Sequence, residues 1–290
     1  MFEQFSHYRI STSGATINLV KGGTGKPLLL LHGYPQTHIM WHKVAPLLCD
    51  RFTVICPDLR GYGDSDKPTS DPIHVTYSKR ATARDQVEMM AALGFERFFA
   101  AGHDRGGRVL HRLLLDYPNL VEKAAVLDIV PTRTIFETVN QELAIAYEHW
   151  FFLCQPDNLP ERLIGKDPEF YLRTKLKKWS ANPNSFTEAA MAEYIRCFSN
   201  PATIHATCED YRAAATIDLE HDEADINIKI PSPLLVLWGA KGIIARCYDV
   251  LKTWQERAVN VSGKALDCGH FLPEEAPQET VTALRDFFCQ

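Results

Sequence analysis

The chain has 290 residues, 46% of them apolar and 23% charged, a balance that excludes disordered, collagen-like and fibrous classes. At about 150 residues per domain, it forms one large domain or a domain with a sizeable insertion, and it buries a core without disulfide or metal staples. Its 31 basic against 36 acidic side chains give a net charge of −5, so no basic excess exists to neutralise the phosphates of nucleic acid or an anionic membrane.

Residues 1–10 alternate polar and aromatic side chains, with no apolar stretch of the kind a secretion signal needs. Two strands are expected at Tyr8–Ser11 and Ala15–Val20, then a turn through residues 21–26. Pro27–Leu31 is an apolar run of strand length, far below the ~20 residues of a membrane span. A helix near Trp41–Leu48 leads to a strand at Phe52–Cys56, then to an amphipathic helix with Val87, Met90 and Ala91 on one face and Gly94 as its stop. Strands at Arg97–Ala101 and Ala124–Ile129 flank a helix carrying Val109, Leu110, Leu113 and Leu114. From about Pro131 to Ile230 the pattern turns helical and irregular, rich in aromatics and proline. Strands resume at Pro233–Trp238 and Val259–Ala265 before a closing helix with Val281, Leu284 and Phe288 on one side. Continuous apolar strands alternating with helices predict a mostly parallel sheet covered on both faces. The expected layout is a core of residues 1–130 and 231–290 with a helical cap of residues 131–230. The eight cysteines are scattered, mostly in apolar stretches, without C-x-x-C spacing, which points to buried thiols in a reducing, cytoplasmic setting and gives metal or redox readings no support.

Two glycine-rich turns are not phosphate loops. Val20 and Pro27 stand where Gly25-Lys26 would need a glycine and a hydroxyl residue, and Asp66 stands where Gly61-Tyr62-Gly63 would need a third glycine. Ala101-Gly102-His103-Asp104-Arg105-Gly106-Gly107-Arg108 carries more information. It follows a strand and opens a helix, with small residues two before and two after a reactive side chain, the context of a nucleophile elbow. The raised residue is aspartate; the same segment also suits a plain strand-to-helix turn capped by aspartate.

Three further segments fit the elbow. His32-Gly33-Tyr34-Pro35 ends the third strand, where the Tyr34 N–H and the Arg105 N–H would converge on one oxygen as an oxyanion hole. Cys268-Gly269-His270-Phe271 places a histidine on the loop before the last helix, in the position of a general base. The acid that orients this base is missing after Pro233–Trp238, where Gly239-Ala240-Lys241-Gly242 follows, and Asp128 is available at the end of the preceding strand. The expected catalytic set is therefore Asp104, Asp128 and His270.

A carboxylate nucleophile displaces a leaving group from saturated carbon and forms an ester, which leaves carbon–halogen bonds and epoxides as substrates. Arg105 and Arg108 lie three apart on one helix face beside Asp104, placed to keep it ionised and to fork a substrate carboxylate. The alternative, a structural ion pair, weighs more on Arg108 than on Arg105.

Gly-His-Asp-Arg-Gly-Gly-Arg at 102–108, His-Gly-Tyr-Pro-Gln-Thr-His at 32–38, Asp58-Leu59-Arg60-Gly61-Tyr62-Gly63 and Cys-Gly-His-Phe at 268–271 resemble the haloacetate (fluoroacetate) dehalogenases of the α/β-hydrolase superfamily, along nearly the whole chain. The resemblance implies an α/β-hydrolase fold with a cap, carboxylate binding by Arg105 and Arg108, and halide binding by His149, Trp150 and Tyr211. Aromatics at such helical positions otherwise serve as core. It also implies a homodimer acting on a small haloacid, a reaction that needs no metal or organic cofactor. An epoxide hydrolase of the same fold, with Tyr147, Tyr171 or Tyr194 as a second proton donor, and a non-catalytic ligand-binding relative are the other readings.

Overall fold

The computed structural model describes all 290 residues. Eight strands form one sheet: β1 (Ser6–Ser11), β2 (Thr16–Gly22), β3 (Lys26–Leu31), β4 (Phe52–Pro57), β5 (Phe98–His103), β6 (Val121–Leu127), β7 (Leu234–Gly239) and β8 (Val261–Leu266). Their order is β1-β2-β4-β3-β5-β6-β7-β8. β2 runs antiparallel to both neighbours, and all pairings from β4 to β8 are parallel. Leu28–Leu31 of β3 and Ala124–Leu127 of β6 are wholly buried at successive positions, as a strand covered on both faces requires. This is the mostly parallel α/β sheet that the sequence predicts.

Local differences have local causes. The expected helix near Trp41–Leu48 divides into a 3-10 turn, His38–Trp41, and a short helix, Ala45–Leu48, with Pro46 in its first turn, where a missing N–H is tolerated. β6 begins at Val121, ahead of the apolar run, because partly exposed Glu122 and Lys123 still belong to a backbone ladder that starts at Phe98↔Val121.

Eight short helices lie between β6 and β7, from Thr132–Glu137 to Ile217–Ala224. Pro160, Pro168 and Pro201 start three of them, each in the first turn that proline favours. These inserted helices meet the carboxyl ends of the strands, where the His270 N–H donates to the Trp179 carbonyl at 3.0 Å. In open α/β sheets, that edge is where ligands bind. No helix is long and apolar enough to cross a membrane.

Candidate active site

The elbow is built by steric necessity. Asp104 follows the last residue of β5, begins the helix Asp104–Asp116 and takes φ +46°, a left-handed conformation that is strained for a residue with a side chain. A Cβ on Gly102 would lie 2.5 Å from the Gly106 carbonyl oxygen, and one on Gly106 would lie 2.3 Å from that of His32. Only glycine at both places lets strand and helix close this tightly, which lifts the Asp104 side chain above the sheet edge.

The parallel register brings the other groups to the same edge. His103 pairs with Leu127, and Leu127 with Leu237, so the residues after β5, β6 and β7 are neighbours. Asp128, also at positive φ (+52°), accepts the His270 Nδ1–H at 2.6 Å on Oδ2 and the Gly239 N–H at 2.9 Å on Oδ1. Nδ1 therefore carries the proton, and Nε2 faces Asp104 Oδ2 at 3.9 Å. The His103 ring donates to the His270 carbonyl at 2.8 Å. The fold thus gathers Asp104, Asp128 and His270 at one point.

Burial depresses the His270 pKa, but the hydrogen bond and charge of Asp128 outweigh it and hold the ring above its ordinary value. Burial pushes the Asp104 carboxyl up, but His270, Arg105 and Arg108 more than offset this and hold it low. Asp104 is thus an ionised, buried carboxylate. Its Oδ1 accepts the Tyr34 N–H at 2.9 Å. The Arg105 N–H lies in the first helical turn, where amides have no helical acceptor.

The two arginines reverse the expectation drawn from sequence. Arg105 is the paired one. Its Nε donates to Asp210 Oδ2 at 2.8 Å, and its Nη2 donates to Asp210 Oδ1 at 3.0 Å and to the Asp210 carbonyl at 2.9 Å. Arg108 has no carboxylate partner; Nη1 donates to the Val130 carbonyl at 2.8 Å and to Thr132 Oγ1 at 3.3 Å. The physical reason is Asp210, which the helix Pro201–Ala215 delivers to Arg105 from 105 residues away. Lys79 and the Tyr62 hydroxyl bond the same carboxylate. Three buried donors remain free: Nη1 of Arg105, and Nε and Nη2 of Arg108.

His149, Trp150 and Tyr211 are buried beside these guanidiniums. Arg105 lies 4.1 Å from the Tyr211 ring centre and Arg108 4.4 Å from that of Trp150. Ring centroids of Tyr211 and His149 are 5.5 Å apart, and those of Tyr211 and Trp150 are 5.7 Å apart. His149 Nδ1, Trp150 Nε1 and the Tyr211 hydroxyl have no hydrogen-bond partner. Burial holds the His149 ring well below its ordinary pKa, hence neutral, and it pushes the Tyr211 hydroxyl well above its own, hence protonated. Buried polar atoms are normally satisfied, so a cluster of orphans beside two guanidiniums suits a small polar ligand.

Sequence reasoning missed Asp210, although it adjoins Tyr211 in Glu209-Asp210-Tyr211-Arg212. It also missed Trp179, whose ring packs 4.4 Å from that of His149. Tyr147, Trp179 and His270 line a cleft of about 520 Å³ with Lys178, Lys241 and Arg246 also on its walls.

An aspartate elbow, a histidine–aspartate pair and an amide-lined oxygen site on a mostly parallel sheet define an α/β hydrolase. Residues 26–277 match the model of the alpha/beta hydrolase fold, and the chain belongs to that family. It is 64% identical to a solved structure, ALR0039 from Nostoc sp PCC 7120, with a TM-score of 0.99 and 99% of each chain covered. It is 46% identical to the fluoroacetate dehalogenase of a Burkholderia species, over 99% of this chain and 95% of the relative. Within the α/β hydrolases it therefore belongs to the family of that dehalogenase. A soluble epoxide hydrolase from Corynebacterium sp. (strain C12) is 36% identical, over 100% of this chain and 99% of the relative.

Proposed function

We propose that the protein is a hydrolytic dehalogenase of haloacetate and short 2-haloacids, yielding a 2-hydroxyacid and halide through an ester on Asp104. One observation carries this reading. Arg108 is a buried cation without a carboxylate partner, and its free Nε and Nη2 are donors. An unpaired buried charge is costly, and a substrate carboxylate supplies the missing anion in a forked pair. The family relation to the fluoroacetate dehalogenase agrees with it.

The geometry supports the following steps. Asp104 Oδ2 attacks the substrate α-carbon from the side opposite the halogen; the carbon–oxygen bond forms as the carbon–halogen bond breaks, and the halogen leaves as an anion with the bonding pair. A fluoride needs strong solvation, which the free donors of Trp150 and Tyr211 supply, joined by His149 in the tautomer that carries its proton on Nδ1. His270 Nε2 then takes a proton from water, and the resulting hydroxide attacks Asp104 Cγ. The Tyr34 and Arg105 amides hold the negative charge that develops on Oδ1. Collapse breaks the bond from Cγ to the alkyl oxygen, which takes the proton back from His270 Nε2. The hydroxyacid leaves, and the Asp104 carboxyl releases its remaining proton to solvent and becomes a carboxylate again. Attack from the rear inverts any chiral α-carbon.

In this reading, residues 131–230 form a cap over a core of residues 1–130 and 231–290. The eight unpaired cysteines suit a reducing compartment such as the cytoplasm. Exposed Leu159, Leu163 and Phe170 on consecutive inserted helices suit the homodimer that the family resemblance implies; sedimentation as a monomer would remove that part.

The direct experiment uses His270→Asn with chloroacetate. The expected result is one equivalent of halide and a protein heavier by one carboxymethyl group; no mass gain contradicts the two-step scheme. Hydrolysis of an epoxide is the second reading, favoured by the buried, unpartnered hydroxyls of Tyr147 and Tyr211. A neutral epoxide leaves the Arg108 donors unpaired. Diol from styrene oxide without halide from any haloacid would reverse the preference.

A further inference from the structure

We propose that Glu275 is a positioning residue for the general base: its carboxylate fixes the His270 loop and joins it to the cap. The proposal rests on the dehalogenase reading above, because it assigns Glu275 to the second half-reaction only. Glu275 ends the four-residue turn of helix Leu272–Glu275, and its side chain folds back toward the loop. Oε1 accepts the Phe271 N–H at 3.0 Å, and Oε2 accepts the Gly269 N–H at 3.1 Å. The residues on both sides of His270 are therefore held by one carboxylate. Oε2 also accepts the N–H groups of Ala181 at 2.8 Å and Asn182 at 3.1 Å, which belong to the cap segment whose Trp179 carbonyl accepts the His270 N–H.

Four N–H donors on one carboxylate use nearly all of its acceptor capacity. A Cβ on Gly269 would lie 2.4 Å from Ala181 N and 2.9 Å from Glu275 Oε1, so the loop accepts no side chain there. The Asp128 bond fixes the His270 ring, while Glu275 fixes the backbone that carries it. Asp104 begins the helix that follows β5, and its carboxylate accepts the Tyr34 N–H. The link from elbow to loop is the His103 ring on the His270 carbonyl, which does not run through Glu275, and alkylation uses no proton from His270.

Glu275→Gln is the discriminating substitution because it keeps the volume and loses the symmetry. An amide has one acceptor oxygen; turned toward Gly269, Ala181 and Asn182, it leaves its NH2 group facing the Phe271 N–H, donor against donor. Glu275→Gln and Glu275→Ala are each mixed with chloroacetate in rapid-quench experiments that follow halide burst and ester decay separately, with unfolding temperature as the check on folding. The expected result is alkylation within about twofold of wild type and ester hydrolysis slower by about 10- to 100-fold, the scale of a ~1 Å misplacement, so that ester accumulates during turnover. Equal loss in both halves, or hydrolysis at the wild-type rate, overturns the proposal. If Glu275→Ala unfolds, Glu275→Gln carries the test. Failure of His270→Asn to form any ester sinks the dehalogenase reading instead; ester in His270→Asn with normal hydrolysis in Glu275→Gln sinks only the role of Glu275.

Discussion

Replacing Arg108 with leucine removes a buried guanidinium whose Nε and Nη2 have no partner in the free protein. Two charge-assisted hydrogen bonds to a carboxylate are each worth about 1.5–3 kcal/mol. Desolvating the substrate takes back part of that sum, and a net loss of about 3 kcal/mol corresponds to roughly 100-fold in affinity. Arg108→Leu also removes the bonds to the Val130 carbonyl and Thr132, so a fall in activity alone decides nothing. The decisive quantity is the ratio of kcat/KM for chloroacetate to that for chloroacetamide, measured as chloride release. A structural defect depresses both substrates together, whereas loss of carboxylate recognition depresses only the anion. The ratio should fall by roughly 100-fold, mostly through KM. A ratio equal to that of the wild type would refute the assignment of Arg108 to the substrate carboxylate.

The hydrolytic step needs neutral His270, so its rate is lost as pH falls through the His270 pKa. The Asp128 hydrogen bond and charge, joined by the charge of Asp104, hold that value above the ordinary 6.5 in the free enzyme. The ester on Asp104 removes the last of these, so the acid limb of the single-turnover hydrolysis rate should lie below the pH at which His270 titrates in the free enzyme; a limb at or above it contradicts the scheme. Asp128→Asn removes the charge that favours the protonated ring, and it should move the limb to lower pH while slowing hydrolysis. Glu274 is pushed up to about 7 by burial, against the opposing pull of Tyr194 and Lys43. Its folded value lies above its unfolded one, so the folded state binds the extra proton between the two, and stability falls as pH rises from about 4.5 to about 7. Glu274→Gln should raise the unfolding temperature at about pH 8 relative to wild type and leave it little changed at about pH 4; the same shift at both would contradict the sign.

Local steric rules made much of this site legible in the sequence. The elbow glycines, the histidine loop and the absence of an acid after β7 are short-range patterns, and the structure joins the residues they indicate within hydrogen-bond range of one another or close to it. Pairings across long separations were not legible. Asp210 reaches Arg105 only because the helix Pro201–Ala215 folds over the sheet edge, and no spacing rule encodes that approach. The same limit hid the four donors around Glu275, two of which, Ala181 and Asn182, come from the insertion between β6 and β7. The breaks among the inserted helices were unreadable for a related reason: their aromatic side chains are set by packing over the site and not by a helical period.

The most direct test of the central claim is a single turnover in heavy-oxygen water with enzyme in excess over haloacetate. Attack by Asp104 predicts that the glycolate formed is unlabelled and that the heavy atom enters the Asp104 carboxylate, found by peptide mass analysis. Label in the glycolate from that first turnover, with none at Asp104, would mean that water displaced the halide directly.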